Sequence, residues 1–189
     1  MSETKNISEP TTDSVEVTFE QLCSISGYAQ PSRLKKLQPW LNQAMSRYEI
    51  NTRLRQAHFI AQVAHESVDF NYLEELADGA YYEGRSDLGN TTAGDGAKFK
   101  GRGIIQITGR YNYMQVGNAL GVDLISNPER LADYDLACLS AAWWWSTNQL
   151  NEFADKDDIQ LITRRINGGF NGLEDRINYL NRAKQVFGI

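Results

Sequence analysis

Between residues 70 and 100 the chain carries five glycines, Gly79, Gly84, Gly89, Gly94 and Gly96, and shows no helical or alternating apolar pattern. The segments on either side are strongly periodic. Irregular stretches of this length are uncommon in compact domains and tend to be functional or disordered. Such a chain has to build a helical scaffold firm enough to carry a long acidic excursion.

The scaffold is legible from its periodicity. Thr18 with Gln21 three places on reads as a capping box ahead of Phe19, Leu22 and Cys23. From Arg33 to Tyr48 apolar residues recur at three and four, which predicts an amphipathic helix with Pro39 near its middle as a kink or break. Thr52–Asp69 predicts a broadly apolar, central helix. Gly101–Thr108 reads as a short strand or extended piece, Tyr111–Leu120 as a helix, and 128–148 as another that opens at Pro128. Asp158–Asn167 and Leu173–Phe187 complete about seven helices. The fold class is therefore mainly α, and the absence of repeated strand–helix units argues against a doubly wound sheet. Residues 1–17, polar and with Pro10 inside, read as a flexible arm ahead of a single domain over 18–189.

Charge narrows the function classes. The formal net charge of −5 disfavours nucleic acid as a partner, because affinity there comes mainly from a basic face. The charges are nevertheless sorted: residues 61–96 sum to −7 between two stretches of +4 each, 18–60 and 97–120. That pattern either places carboxylates opposite cations across a groove or reflects solvated faces that happen to alternate. Cys23 and Cys138 give no disulfide framework and read as free thiols. The apolar patch around Ala141–Trp145 is too short to span a bilayer, so no membrane insertion is expected, and the start has no basic leader before an apolar run.

Four features bear chemistry. Glu66, in His65-Glu66-Ser67 near the end of the central helix, suits a general acid if partly desolvated; the plainer reading is an exposed helix-end glutamate. His65 and Asp69 lie one turn apart, but HESVD lacks the second histidine of a zinc motif, so no metal and no cofactor are expected. Glu74, Glu75 and Glu83 supply candidate partners for Glu66. A continuous helix would hold Glu75 about 13 Å from Glu66 along its axis. A turn at Phe70 or Asn71 would instead bring a carboxylate back, and a gap of about 6.5–9.5 Å admits the water of an inverting glycosidase. Finally Gln106, Thr108, Tyr111 and Asn112 in GRGIIQITGRYNY, with Asn167 in RINGGFNG, offer the amides, hydroxyls and rings that a neutral sugar polymer needs, or else local turn caps.

AQVAHES, GRGIIQITGRYNY and INGGFNG, in this order, resemble glycoside hydrolase family 19, over roughly residues 18–188. With YEGRSDLGNTTAGDG in a short chain, the resemblance is to the phage-type endolysin or lysozyme-like branch of these chitinase-like enzymes. It implies a lysozyme-like helical fold with two lobes around a glycan cleft, no metal, and inversion. Residue by residue, it implies Glu66 as general acid, with Gln106, Thr108, Tyr111, Asn112 and Asn167 lining the sugar cleft. Arg176 resembles an arginine that holds the catalytic network. Glu75, nine residues after the acid, matches the base of phage-type members; Glu83 matches the plant-type position. The expected activity is therefore that of an endolysin cleaving β-1,4 bonds of peptidoglycan, with a chitinase or a non-catalytic wall-binding module as alternatives. The expected setting is a monomer held in the host bacterial cytoplasm, released by a separate holin-like pore, and acting on periplasmic peptidoglycan during host cell lysis.

Overall fold

The computed structural model describes residues 15–189. Its helices follow local signals closely. α1 (Phe19–Ile25) begins at the capping box, where Thr18 Oγ1 accepts from the Gln21 N–H at 3.1 Å and the Gln21 side chain accepts from the Thr18 N–H at 3.0 Å. α2 (Pro31–Arg47) contains Pro39 without being split by it. Every side chain from Gln56 to Ala64 of α3 (Arg53–Glu66) is buried, as befits a helix with neighbours all round.

α3 ends at Glu66, three residues before the periodicity predicts, and the reason is visible in the backbone. Val68, Asp69 and Phe70 all take positive φ, at 49°, 62° and 62°. A β-branched residue such as Val68 pays most for that conformation, so surrounding contacts must hold it. Ser67 Oγ donates to the Val63 carbonyl at 2.6 Å and accepts from the Phe70 N–H at 2.9 Å, while the buried Asp69 carboxylate accepts from the Tyr28 N–H. The left-handed turn sends the chain back on itself.

Within the 70–100 excursion the only α-helix is the short α4 (Asp95–Lys98), accompanied by two 3-10 turns. The 101–108 segment is not a strand; it forms isolated bridges, Glu74 with Arg102 and Arg102 with Ile107. α5 (Arg110–Leu120) follows. The predicted 128–148 helix divides into a 3-10 turn at Pro128–Ala132 and α6 (Tyr134–Thr147), because Asp133 between them is extended. α7 (Leu150–Ala154), α8 (Ile159–Asn167) and α9 (Leu173–Phe187) complete an all-helical fold among the described residues.

Two apolar clusters fill the interior. The larger is built on α3, which packs most extensively against α9, and includes Phe59 edge-on to Trp145 at 5.3 Å between ring centroids. The smaller gathers Phe99, Ile107, Tyr113, Val116, Leu124, Leu131 and Leu136. Ile105 and Trp144 touch both clusters and so lie along their seam. Of the arm read over 1–17, residues 1–14 lie outside the described residues. Val17 is buried, with its N–H donating to Asn42 Oδ1 at 3.0 Å and its carbonyl accepting from Asn42 Nδ2 at 2.9 Å. Cys23 and Cys138 are free thiols, and burial pushes the Cys138 thiol up.

Candidate active site

The turn after Glu66 brings residues 73–75 alongside 101–103. The Glu75 N–H donates to the Gly101 carbonyl and the Gly103 N–H to the Leu73 carbonyl, each at 2.9 Å. Ion pairs reinforce this return. Glu74 meets Lys100 at 3.2 Å and Arg102 at 3.0 Å; burial pushes its carboxyl up, but these two cations together hold it below its ordinary value. Further along, Arg110 grips the buried Asp95 through both carboxylate oxygens at 2.6 and 2.8 Å, and this bonding keeps the Asp95 carboxyl low. These contacts of the acidic stretch with the following basic one are direct pairs that brace the excursion.

A cleft of about 200 Å³ opens at the seam between the clusters. Glu66, Gln106, Thr108 and Asn112 contribute its polar lining; Leu88, Ile105, Ile107, Trp144 and Ile166 contribute the apolar part. The structure thus gathers four of the residues singled out from the sequence around one hollow. Polar groups interleaved with an indole and aliphatic side chains suit a sugar, whose hydroxyls bond while its ring face packs. Gln106 sits at φ 56°, a strained backbone for a non-glycine residue, and its amide donates to the Gly103 carbonyl at 3.1 Å.

Glu75 joins this group through Gly101. A side chain at 101 would begin 2.7 Å from Gln106 Oε1, 3.2 Å from Glu75 Oε2 and 3.3 Å from Thr108 Oγ1, so three polar atoms converge on the space this glycine leaves open. The Glu75 carboxylate accepts from the Tyr82 hydroxyl at 3.2 Å and from the Gly101 N–H at 3.1 Å. Glu83 is differently employed. Its two oxygens accept from the Gly94 and Gly96 N–H groups, each at 2.8 Å, which ties the excursion to itself.

The remaining sequence-predicted residues stand apart from the lining. Tyr111 is exposed on the first turn of α5, its hydroxyl accepting from Gln115 at 2.7 Å. Asn167 is exposed at the end of α8, where its amide donates to the Asn171 carbonyl at 3.2 Å; its neighbour Ile166 is the one that faces the cleft. Arg176 is buried behind Glu66 and donates to its Oε1, and through its other terminal nitrogen to Gln62 Oε1. His65 bonds Asp175 at 2.6 Å, and its ring lies against Gly172, where any β-carbon would come within 2.3 Å of it. Neighbouring residues of α3 thus engage neighbouring residues of α9. Sequence reasoning passed over Gln62, Tyr82 and Trp144: a buried amide and an indole at helical spacing look like core, and nothing local reveals which side they face.

Another hollow, about 390 Å³, lies beside α5, lined by Tyr113, Met114, Asn118 and Leu124 among others. Its one carboxylate, Asp123, accepts from the Ile125 and Ser126 N–H groups, so it offers no comparable pair of acids.

Residues 46–164 match the model of glycoside hydrolase family 19, described as chitinase class I. The chain belongs to this family. A glycosyl hydrolase family 19 domain-containing protein of Haemophilus influenzae is 31% identical, over 90% of this chain and 95% of its own length. Endochitinase At2g43620 of Arabidopsis thaliana is 36% identical over 70% of this chain, which spans about half (48%) of that plant protein. Among solved structures, chitinase C from Streptomyces griseus superposes with a TM-score of 0.73 at 25% identity, covering 91% of this chain and 76% of that one. A bacterial family 19 chitinase gives 0.75 at 27% identity, covering 92% and 95%. This family 19 chain accordingly has the all-helical, lysozyme-like fold.

The matches also correct an expectation. The endolysin-like enzyme cleaving peptidoglycan, with peptidoglycan strands as its partner, is overturned: the plant relatives are named endochitinases and the solved neighbours are chitinases. The reason lies in what the motifs encode. HES, GRGIIQIT and INGGFNG offer a carboxylate, amides and a hydroxyl of the kind that suits a neutral sugar, and those groups do not distinguish one such polymer from another.

Proposed function

We propose that this chain is a chitinase-type glycosidase that hydrolyses β-1,4 bonds in N-acetylglucosamine polymers by inverting acid/base catalysis, with Glu66 as acid and Glu75 as base. Glu66 gives its proton to the glycosidic oxygen as the bond to the anomeric carbon breaks. A water attacks that carbon from the opposite face and passes its proton to Glu75. Gln106, Thr108 and Asn112 hold the sugar hydroxyls and acetamido groups so that the water and bond stay aligned, converting orientation into rate. Tyr111 and Asn167 extend the glycan contacts beyond the reacting sugar. Arg176 stabilises the carboxylate that Glu66 becomes.

The observation that carries this reading is the convergence of Glu75, Gln106 and Thr108 on Gly101, the latter two side chains lining the same cleft as Glu66. It favours Glu75 over Glu83, whose carboxylate is taken up bracing the 94–96 backbone. Hydrolysis of chitin tetramers to hexamers, followed by proton NMR, tests the proposal: β-linked substrate should release α-anomeric product first. No cleavage of any of these oligomers, or initial β product, would overturn it.

A further inference from the structure

We propose that Gln62 is a positioning residue that directs the whole charge of Arg176 at Glu66, so that Arg176 favours proton delivery to the substrate. This rests on the assignment of Glu66 as acid. Gln62 lies one helical turn before Glu66, on the same face of α3, and is fully buried. Arg176, from α9, is 1% exposed and spans the two, with one terminal nitrogen donating to Gln62 Oε1 and the other to Glu66 Oε1. The far side of the Gln62 amide faces Thr163 Oγ1 of α8, also fully buried, at 3.5 Å. The amide is thus set between three helices.

The chemistry turns on the amide being neutral. Each acceptor offsets part of the cost of burying a guanidinium, and Gln62 supplies one without supplying charge, while Arg176 Nε has no partner among the described residues. Among the described residues, the only carboxylate bonded to Arg176 is then Glu66. The nearby Asp175 is engaged by His65. As Glu66 loses its proton to the leaving oxygen, the negative charge that develops meets an undivided, preorganised cation, which lowers the barrier to transfer. A carboxylate at 62 would share Arg176, weaken that stabilisation, and make Glu66 a more reluctant proton donor.

The experiment compares Gln62→Glu, Gln62→Met and wild type on chitin hexamer, measuring kcat and KM across pH together with thermal melts. Gln62→Glu is expected to lower kcat about tenfold, a fraction of what general acid catalysis supplies, with KM unchanged. Its kcat profile should also extend to higher pH on the alkaline side, because Glu66 then keeps its proton longer. Gln62→Met should lower kcat without that extension. A folded Gln62→Glu enzyme with wild-type kcat and an unmoved alkaline limb overturns the inference, as does a loss confined to the melting temperature. If neither variant folds, Thr163→Val, which frees the amide from α8, should still lower kcat at constant KM; unchanged kcat there also overturns it. Glu66→Gln is the control. Retained turnover in Glu66→Gln would remove the acid assignment itself, whereas an inactive Glu66→Gln beside unaffected Gln62 variants would remove only the role of Gln62.

Discussion

Arg176 donates a hydrogen bond to Glu66 from a position 110 residues away in the chain, and it does so from inside the core. The pair fastens the end of α3 to α9 at the place where α3 stops and the chain reverses. A carboxylate that would otherwise be a frayed helix end becomes a fixed wall of the cleft.

Glu66→Gln should therefore preserve the fold while lowering turnover of chitin oligosaccharides by at least about 10²-fold, the lower scale of general acid catalysis. The amide oxygen still accepts from Arg176, so circular dichroism should remain that of the wild type. A folded variant with near-normal turnover would refute the role.

The two candidate bases should separate cleanly. Glu75→Gln is expected to suppress hydrolysis while leaving oligosaccharide binding measurable by calorimetry. Glu83→Gln weakens two loop hydrogen bonds and should show mainly as a lower melting temperature. Inactive Glu83→Gln beside active Glu75→Gln would reverse the assignment.

Gly101→Ala probes the cleft without touching an ionisable group. Its methyl would start 2.7 Å from Gln106 Oε1, the free end of a side chain that can swing aside. Displacement of that amide should cost turnover more than stability. Wild-type kcat in Gly101→Ala would mean that the convergence around Gly101 is irrelevant to the reaction.

His58 makes stability depend on pH. Burial pushes its imidazole below the ordinary 6.5, outweighing the pull of Asp157, which it bonds at 2.8 Å; Lys184 adds to the lowering and Asp158 opposes it. Below about pH 6.5 the unfolded chain then binds a proton that the folded chain resists, so stability present above that pH is lost as pH falls. Melting temperatures at pH 7.5 and 5 should drop less for His58→Gln than for wild type. Equal drops would exclude His58 as the source.

The sequence by itself determined the helices and their caps, because hydrophobic period, the Thr18–Gln21 box and glycine stops act over a few residues. α9 matches its predicted span, Leu173–Phe187, end to end. It also determined the family and singled out Glu66 as the candidate acid, since AQVAHES, GRGIIQITGRYNY and INGGFNG are contiguous motifs. Only the tertiary structure decided where α3 ends, because three successive residues at positive φ are locally unfavourable and are held by distant partners such as Tyr28. It likewise decided that Glu75 adjoins Gln106 and Thr108 while Glu83 braces a loop, that Trp144 lines the cleft, and that Gln62 reaches Arg176. Each of these depends on which face of one element meets another, and local sequence preferences carry no term for it.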